Sequence, residues 1–155
     1  MSEEVLRYKR SHFVTQLPVN CRYSPSHFWL RAGPDGVWRV GFTRFATRML
    51  GDIVDHAIEK APMTPVTPGQ VVGWIEGFKA ISDLFCVLDG TFLGGNPELA
   101  GNVSIVGEDN YGRGWLYEVK GEPDPQCVDV HAYRDLLDRT IDRMLEKQRA
   151  EAEPS

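Results

Sequence analysis

Residues 71–76 and 80–88 form two runs rich in β-branched and aromatic side chains, separated only by Gly77-Phe78-Lys79. Such side chains suit a pleated surface, and a short glycine-containing break between them closes an antiparallel hairpin. The chain is therefore expected to carry a hairpin with Lys79 at or beside its tip, and to build its fold around strands.

Punctuation elsewhere agrees with a β-rich fold. Short apolar runs near residues 13–17 and 28–30 are broken by Pro18 and Pro25, which reads as short strands and loops. Gly33-Pro34-Asp35-Gly36 is turn chemistry and precedes a strand at 37–42. Thr43 is placed to cap a short helix with apolar Phe45, Ala46, Met49 and Leu50, which Gly51 ends. Residues 53–58 follow as a strand, and Pro62, Pro65 and Pro68 hold an irregular connection. Beyond the hairpin, Asp89-Gly90 reads as a tight turn, 91–93 as a strand, Gly94-Gly95-Asn96-Pro97 as a loop and 115–119 as a last strand.

The pattern changes after Gly121. Pro123 and Pro125 mark a linker and Asp129 is a candidate N-cap. Tyr133, Leu136, Leu137, Ile141, Met144 and Leu145 then recur at helical spacing between charged residues, the pattern of an amphipathic helix. Residues 150–155 are expected to fray.

A chain of 155 residues with 42% hydrophobic content supports one sizeable core. A net charge of −5 argues against nucleic acid or an anionic membrane as partner, since both need clustered cations. Cys21, Cys86 and Cys127 make no CxxC pair, so neither a zinc site nor a disulfide framework is expected, and an odd count fits a reducing cytoplasm. No signal sequence or membrane helix is legible. Nor is a Ser-His-Asp order, a metal cluster or a phosphate-binding glycine loop, so an independent enzyme is not expected.

Lys79 carries the chemistry. A Schiff-base lysine needs a desolvated or cationic setting to be neutral near pH 7. Here Glu76 and Asp83 lie close in sequence and favour the ammonium, which points to a displayed attachment point rather than a nucleophile.

Further motifs extend the pattern over residues 23–120. They are Tyr23-Ser24-Pro25-Ser26-His27-Phe28-Trp29, Val40-Gly41-Phe42-Thr43, Leu50-Gly51-Asp52-Ile53-Val54, and Glu76 with Lys79-Ala80 and Ser82-Asp83. Gly90, Asn96, Leu99 and Tyr111-Gly112-Arg113-Gly114-Trp115-Leu116 complete the set. In this order and spacing the chain resembles the H-protein family of the glycine cleavage system. The resemblance implies a mainly β fold, a flattened antiparallel barrel or sandwich hybrid with a short internal helix and a C-terminal amphipathic helix. It implies lipoate in amide linkage to Lys79, with Glu76 and Asp83 beside it. The partners it implies are a lipoate ligase or lipoyl transferase and the oxidoreductases of a carrier pathway, with the chain itself a cytoplasmic monomeric carrier. Residues 1–22 would be an N-terminal extension, 23–120 the lipoyl domain and 121–155 a linker and helix.

The departures redirect the expected cargo. Phe28 stands where the family carries an acidic residue that holds the aminomethyl-loaded arm, and a phenyl ring accepts no charge-assisted hydrogen bond. Gly77-Phe78 replaces the usual Ser-Val, and Cys86-Val87 a Ser-Pro. Phe28 and Phe78 are thus expected to line an aromatic pocket for the arm. On this basis the chain is similar to the lipoate-binding proteins of the heterodisulfide-reductase-like sulfur oxidation system. Glycine cleavage is the alternative, and a non-lipoylated binding or regulatory module the second alternative. His27 and Trp29 are read as structural, His12, His56 and His131 as ordinary surface residues, Cys86 as a buried hydrophobe and Cys127 as a residue of an accessible linker.

Overall fold

The computed structural model describes residues 3–152. Strands β1 (Val5–Arg10) and β2 (Phe13–Pro18) pair as an antiparallel hairpin of their own. Next come β3 (Arg22–Tyr23), β4 (Phe28–Ala32) and β5 (Val37–Phe42), with the Gly33–Gly36 turn between the last two. Helix α1 (Arg44–Leu50) begins as expected, the Thr43 side chain accepting from the Ala46 N–H. It is followed by β6 (Ile53–Ile58), β7 (Thr64–Val66), β8 (Val71–Gly77), β9 (Ile81–Phe85) and β10 (Leu88–Gly95). A short helix α2 (Ile105–Glu108), strand β11 (Tyr117–Pro123) and the long helix α3 (Val130–Ala152) complete the chain.

The order β3-β4-β5-β11-β10-β7 makes a six-stranded sheet, and β6-β8-β9 a three-stranded one. All pairings are antiparallel. The fold is mainly β, an open antiparallel sandwich of the lipoyl-domain type, as the sequence led us to expect.

Strand β4 lies between two cores. Phe28 and Leu30 point into the core shared by the two larger sheets, while Trp29 points into a second core. That second core joins the β1–β2 hairpin, Phe45 and the Tyr133, Leu137 and Ile141 stripe of α3. With both faces covered, the run Phe28-Trp29-Leu30 shows no apolar-polar alternation in sequence, although its side chains alternate between cores. Tyr8 Oη donates to Asp138 at 2.8 Å and Arg10 pairs with Asp142 at 2.7 Å, tying the N-terminal hairpin to α3.

Several boundaries differ from expectation. The second strand of the central hairpin stops at Phe85, and Cys86-Val87 breaks the run before β10. Asp89-Gly90 is not a turn: both lie inside β10, where Gly90 faces Gly121 of β11. A Cβ at Gly90 would stand 2.1 Å from the Lys120 carbonyl oxygen, so glycine is there for close backbone approach. Gly94 and Gly95 also belong to β10, beside a bulge, and the last strand starts at Tyr117 rather than Trp115. Helix α3 continues through Ala152, so the expected fraying does not hold for residues 150–152, and 153–155 lie outside the described residues. Cys127 is buried, not accessible, because the linker folds back through a Tyr23–Val128 bridge.

The Asp129 carboxylate accepts from the Ala132 N–H at 2.9 Å, the bond of an N-cap. Asp129→Ala is expected to cost about 1 kcal/mol, read as a fall in thermal midpoint of about 2–4 °C. An unchanged midpoint would show that water replaces the cap without loss.

Candidate functional site

Gly77 N–H donates to the Ala80 carbonyl at 2.9 Å, leaving Phe78 and Lys79 as the two-residue connection between β8 and β9. Neither has positive φ, so this is not the mirror-image turn that tight hairpins favour, and it needs outside support. The support comes from the α1–β6 junction. Phe78 N–H donates to the Asp52 carbonyl at 3.0 Å and Lys79 N–H to the Leu50 carbonyl at 2.8 Å.

Close contact makes that docking possible. A Cβ at Gly77 would lie 2.2 Å from the Leu50 carbonyl oxygen, and Gly51, with φ of 79°, would meet Lys79 Cγ at 3.0 Å. The backbone of the tip is thus fixed while the Lys79 side chain is exposed. Its Nζ reaches the Arg48 carbonyl at 3.4 Å, at the C-terminal end of α1, where free carbonyls favour a cation. None of the ion pairs among the described residues includes Lys79, Glu76 or Asp83.

Glu76 is opposite Ile81 and Asp55, and Asp83 is opposite Trp74, so these carboxylates share the outer face of the β6-β8-β9 sheet. Phe78 is 79% exposed at the tip. Phe28 is 1% exposed and stacks on Phe42 with centroids 4.7 Å apart. It does not line a pocket for the arm, because β4 turns that side chain into the inter-sheet core. The sequence thus brings Lys79, Phe78 and Glu76 together and separates Phe28 from them.

Two depressions flank Lys79. One, of about 1050 Å³, is bordered by Arg44, Arg48, Asp52, Phe78, Ser104 and Glu108. The other, of about 350 Å³, lies between α1, the β1–β2 turn and the end of α3. Arg48 borders both. These surroundings escaped the sequence reading, because the supporting groups at Leu50 and Asp52 are backbone carbonyls and the walls come from distant segments. The doublet Leu50-Gly51 was their only trace.

Elsewhere, His27 Nδ1 lies 2.8 Å from Tyr133 Oη, which lies 2.8 Å from Thr43 Oγ1. Burial pushes the His27 pKa down to about 4. The Tyr133 hydroxyl thus bridges a neutral imidazole and the Thr43 hydroxyl, a buried relay consistent with a structural role. Burial also raises the Cys86 thiol and lifts Cys127 to about 11, which keeps both protonated. Cys86 Sγ donates to the Leu88 carbonyl. No three metal-binding side chains cluster among the described residues, and no helix there is long and apolar enough to cross a membrane.

Comparison with known proteins agrees with this arrangement. The family model described as Glycine cleavage H-protein matches residues 21–140. The glycine cleavage system H protein of Kocuria rhizophila is 36% identical over 129 residues, 81% of this chain and 100% of that protein. The one from Chromobacterium violaceum is 36% identical over 107 residues, covering 69% and 83%. A crystal structure of a glycine cleavage system H protein from Mycobacterium marinum superposes with a TM-score of 0.68 at 30% identity, covering 76% of this chain and 95% of that one. With the family model spanning most of the chain and a relative matched over its whole length, this chain belongs to the glycine cleavage H-protein family.

Proposed function

We propose that the chain is a lipoyl carrier of the glycine cleavage type, with lipoate in amide linkage to Lys79 and an aminomethyl group as cargo. One observation carries the assignment: Lys79 is exposed on a turn whose two N–H groups are held by Leu50 and Asp52. The backbone position is fixed and the side chain projects from it, which suits presentation to a modifying enzyme and then to successive partners. Lipoate, when attached, supplies a dithiolane whose sulfurs exchange by thiol–disulfide chemistry and bear the cargo. The chain's own part is placement.

Acylation removes the Lys79 charge from the end of α1 and leaves an amide N–H as donor, so the contact with the Arg48 carbonyl loses its charge assistance. Glu76 and Asp83 mark the approach to the lysine with negative charge. The partners in this reading are a lipoate ligase or lipoyl transferase and the enzymes that load and reoxidise the arm. The chain performs no turnover alone. Residues 23–120 form the lipoyl-bearing domain, with 1–22 and 121–155 as additions to it.

Intact mass of protein from cells supplied with lipoate tests the attachment. A lipoyl-sized increment in the parent, absent in Lys79→Ala, is expected. An unmodified parent would remove the carrier role and leave a binding module.

Carriage of sulfur in an oxidation pathway is the second reading, and the specific observation favouring it is Phe28 in place of an acidic residue. That side chain is in the core, so its aromatic character contributes nothing to a pocket, and only the missing carboxylate remains in favour. Phe28→Glu would bury an unpaired charge and unfold the chain before reporting on cargo. The cargo is better tested with the parent lipoyl protein. Aminomethyl loading from glycine by a glycine decarboxylase is expected, and failure to load while accepting sulfane sulfur would support the second reading.

A further inference from the structure

Phe78 is 79% exposed, the highest value of any large apolar side chain among the described residues, and it stands one position before the attachment lysine. Ile81, at the start of β9, is 68% exposed, and Val54, in the bulge beside the Ile53–Gly77 pair, is 43% exposed. A single exposed apolar side chain needs no explanation, whereas three around one tip mark a contact surface. We infer that Phe78, supported by Ile81, is the element by which the lipoyl-attaching enzyme selects this chain, its ring docking at the apolar mouth through which Lys79 reaches the reaction centre. The inference rests on attachment of lipoate to Lys79 and adds the residue that is read when attachment occurs.

Reach identifies the occupant. On standard bond lengths the four-carbon stem of a lysine puts Nζ roughly 6 Å from Cα. An enzyme that acylates Nζ must therefore close on the tip itself, and the neighbours of Lys79 fall inside its interface. Once the acyl chain is attached, the dithiolane stands roughly 14 Å from the same Cα, so enzymes that act on the ring work from further out.

The chemistry of the step agrees. Lys79 Nζ, having given up a proton, attacks the carbonyl of an activated lipoyl donor, an acyl adenylate or a thioester. The amide C–N bond forms, the bond to the adenylate or thiolate leaving group breaks, and a second proton passes from the nitrogen to a base of that enzyme. An enzyme that holds an alkyl chain and a disulfide ring encloses them in an apolar channel, open to the incoming lysine at the reaction end. A phenyl ring beside the lysine continues that apolar wall.

The ring is also held ready. Its backbone N–H is fixed on the Asp52 carbonyl at 3.0 Å, and Gly77 and Ala80 close the turn around it at 2.9 Å. Docking therefore needs little further ordering of the chain. Packing gives no reason for the ring to be there: Phe28 and Phe42 stack in the inter-sheet core, while Phe78 belongs to neither core.

Steady-state lipoylation of the full-length chain by a purified lipoate ligase supplied with lipoate and ATP tests this. Burial of a phenyl ring contributes a factor of about ten to a hundred in binding. Phe78→Ser is thus expected to raise KM for the chain at least about tenfold with kcat little changed, and Phe78→Leu, which keeps an apolar side chain, to recover most of the loss. Met63→Ser removes a 71% exposed side chain beyond the other end of β6 and should behave as the parent. Thermal midpoints of all three variants should match the parent, because exposed side chains contribute little to stability. Phe78→Ser protein driven to full lipoylation with excess ligase should then be loaded from glycine by a glycine decarboxylase as fast as the parent. Parent-like kcat/KM in Phe78→Ser would overturn the recognition role while leaving attachment intact, and so would a fall in kcat alone. A defect confined to the loading step would overturn it as well, by giving the ring to a later partner. A parent chain that gains no lipoyl mass would instead overturn the attachment, and the recognition element with it.

Discussion

Gly77→Val is expected to lift the lysine-bearing turn off its support and to lower lipoylation of an otherwise intact Lys79 by about tenfold or more. The first added carbon would stand 2.2 Å from the Leu50 carbonyl oxygen and 3.1 Å from that of Gly51. Both are backbone atoms and cannot swing aside, so the tip has to move. Overpacking of this kind costs about 1–3 kcal/mol, and each bond lost at Phe78 and Lys79 about 1 kcal/mol more. A total of about 3–5 kcal/mol corresponds to a midpoint fall of about 6–20 °C for a chain of this size. The loss of acceptance follows because small displacements of a reacting group are penalised heavily in a shaped active site. Gly101→Ala is the control: no atom lies within 4 Å of the added carbon, and both midpoint and lipoylation should be unchanged. Parent-like lipoylation in a destabilised Gly77→Val protein would mean that the modifying enzyme reads the lysine without its docked turn.

The second large effect is on stability against acid. His27 is packed against Phe45 at 4.6 Å and Tyr133 at 5.7 Å, and burial lowers its pKa to about 4, whereas in the unfolded chain it titrates near its ordinary value of 6.5. Between these values the unfolded chain binds a proton that the folded chain excludes. Stability from this group is therefore complete above about pH 6.5 and falls as pH drops toward 4. At 1.36 kcal/mol per unit, the loss across the window is at most about 3.4 kcal/mol. His27 has φ of 72°, which asparagine tolerates well, so His27→Asn removes the titration with little added backbone strain. Urea unfolding at pH 7 and pH 4.5 should give the parent the steeper decline by 1 kcal/mol or more, and parallel declines would show that His27 titrates normally in the folded state.

How far the sequence could be read depended on how local the cause was. The α1 helix was legible at both ends because Thr43 and Gly51 act within one turn of backbone. The stripe of α3 was legible because Tyr133, Leu137 and Ile141 repeat at the helical period. Asp89-Gly90 misled because glycine serves tight turns and close backbone approaches equally well, and only the opposing Gly121 distinguishes them. Phe28 misled for a related reason. A strand covered on both faces loses its alternation, so nothing local said which core its ring enters.

For Lys79, the sequence by itself determined a lysine at the end of two strand-forming runs, because branched and aromatic side chains and the glycine beside the break act through the local backbone. It also determined the family, through motifs whose order survives substitution between them. Only the tertiary structure decided how the lysine is held and what lies beside it. The Leu50 and Asp52 carbonyls have no side-chain signature, and the groove at its flank joins Phe13, Met49 and Met144 from segments far apart in the chain. Their meeting depends on the two ends of the chain packing over one face of the sheet, a long-range burial that no local pattern encodes.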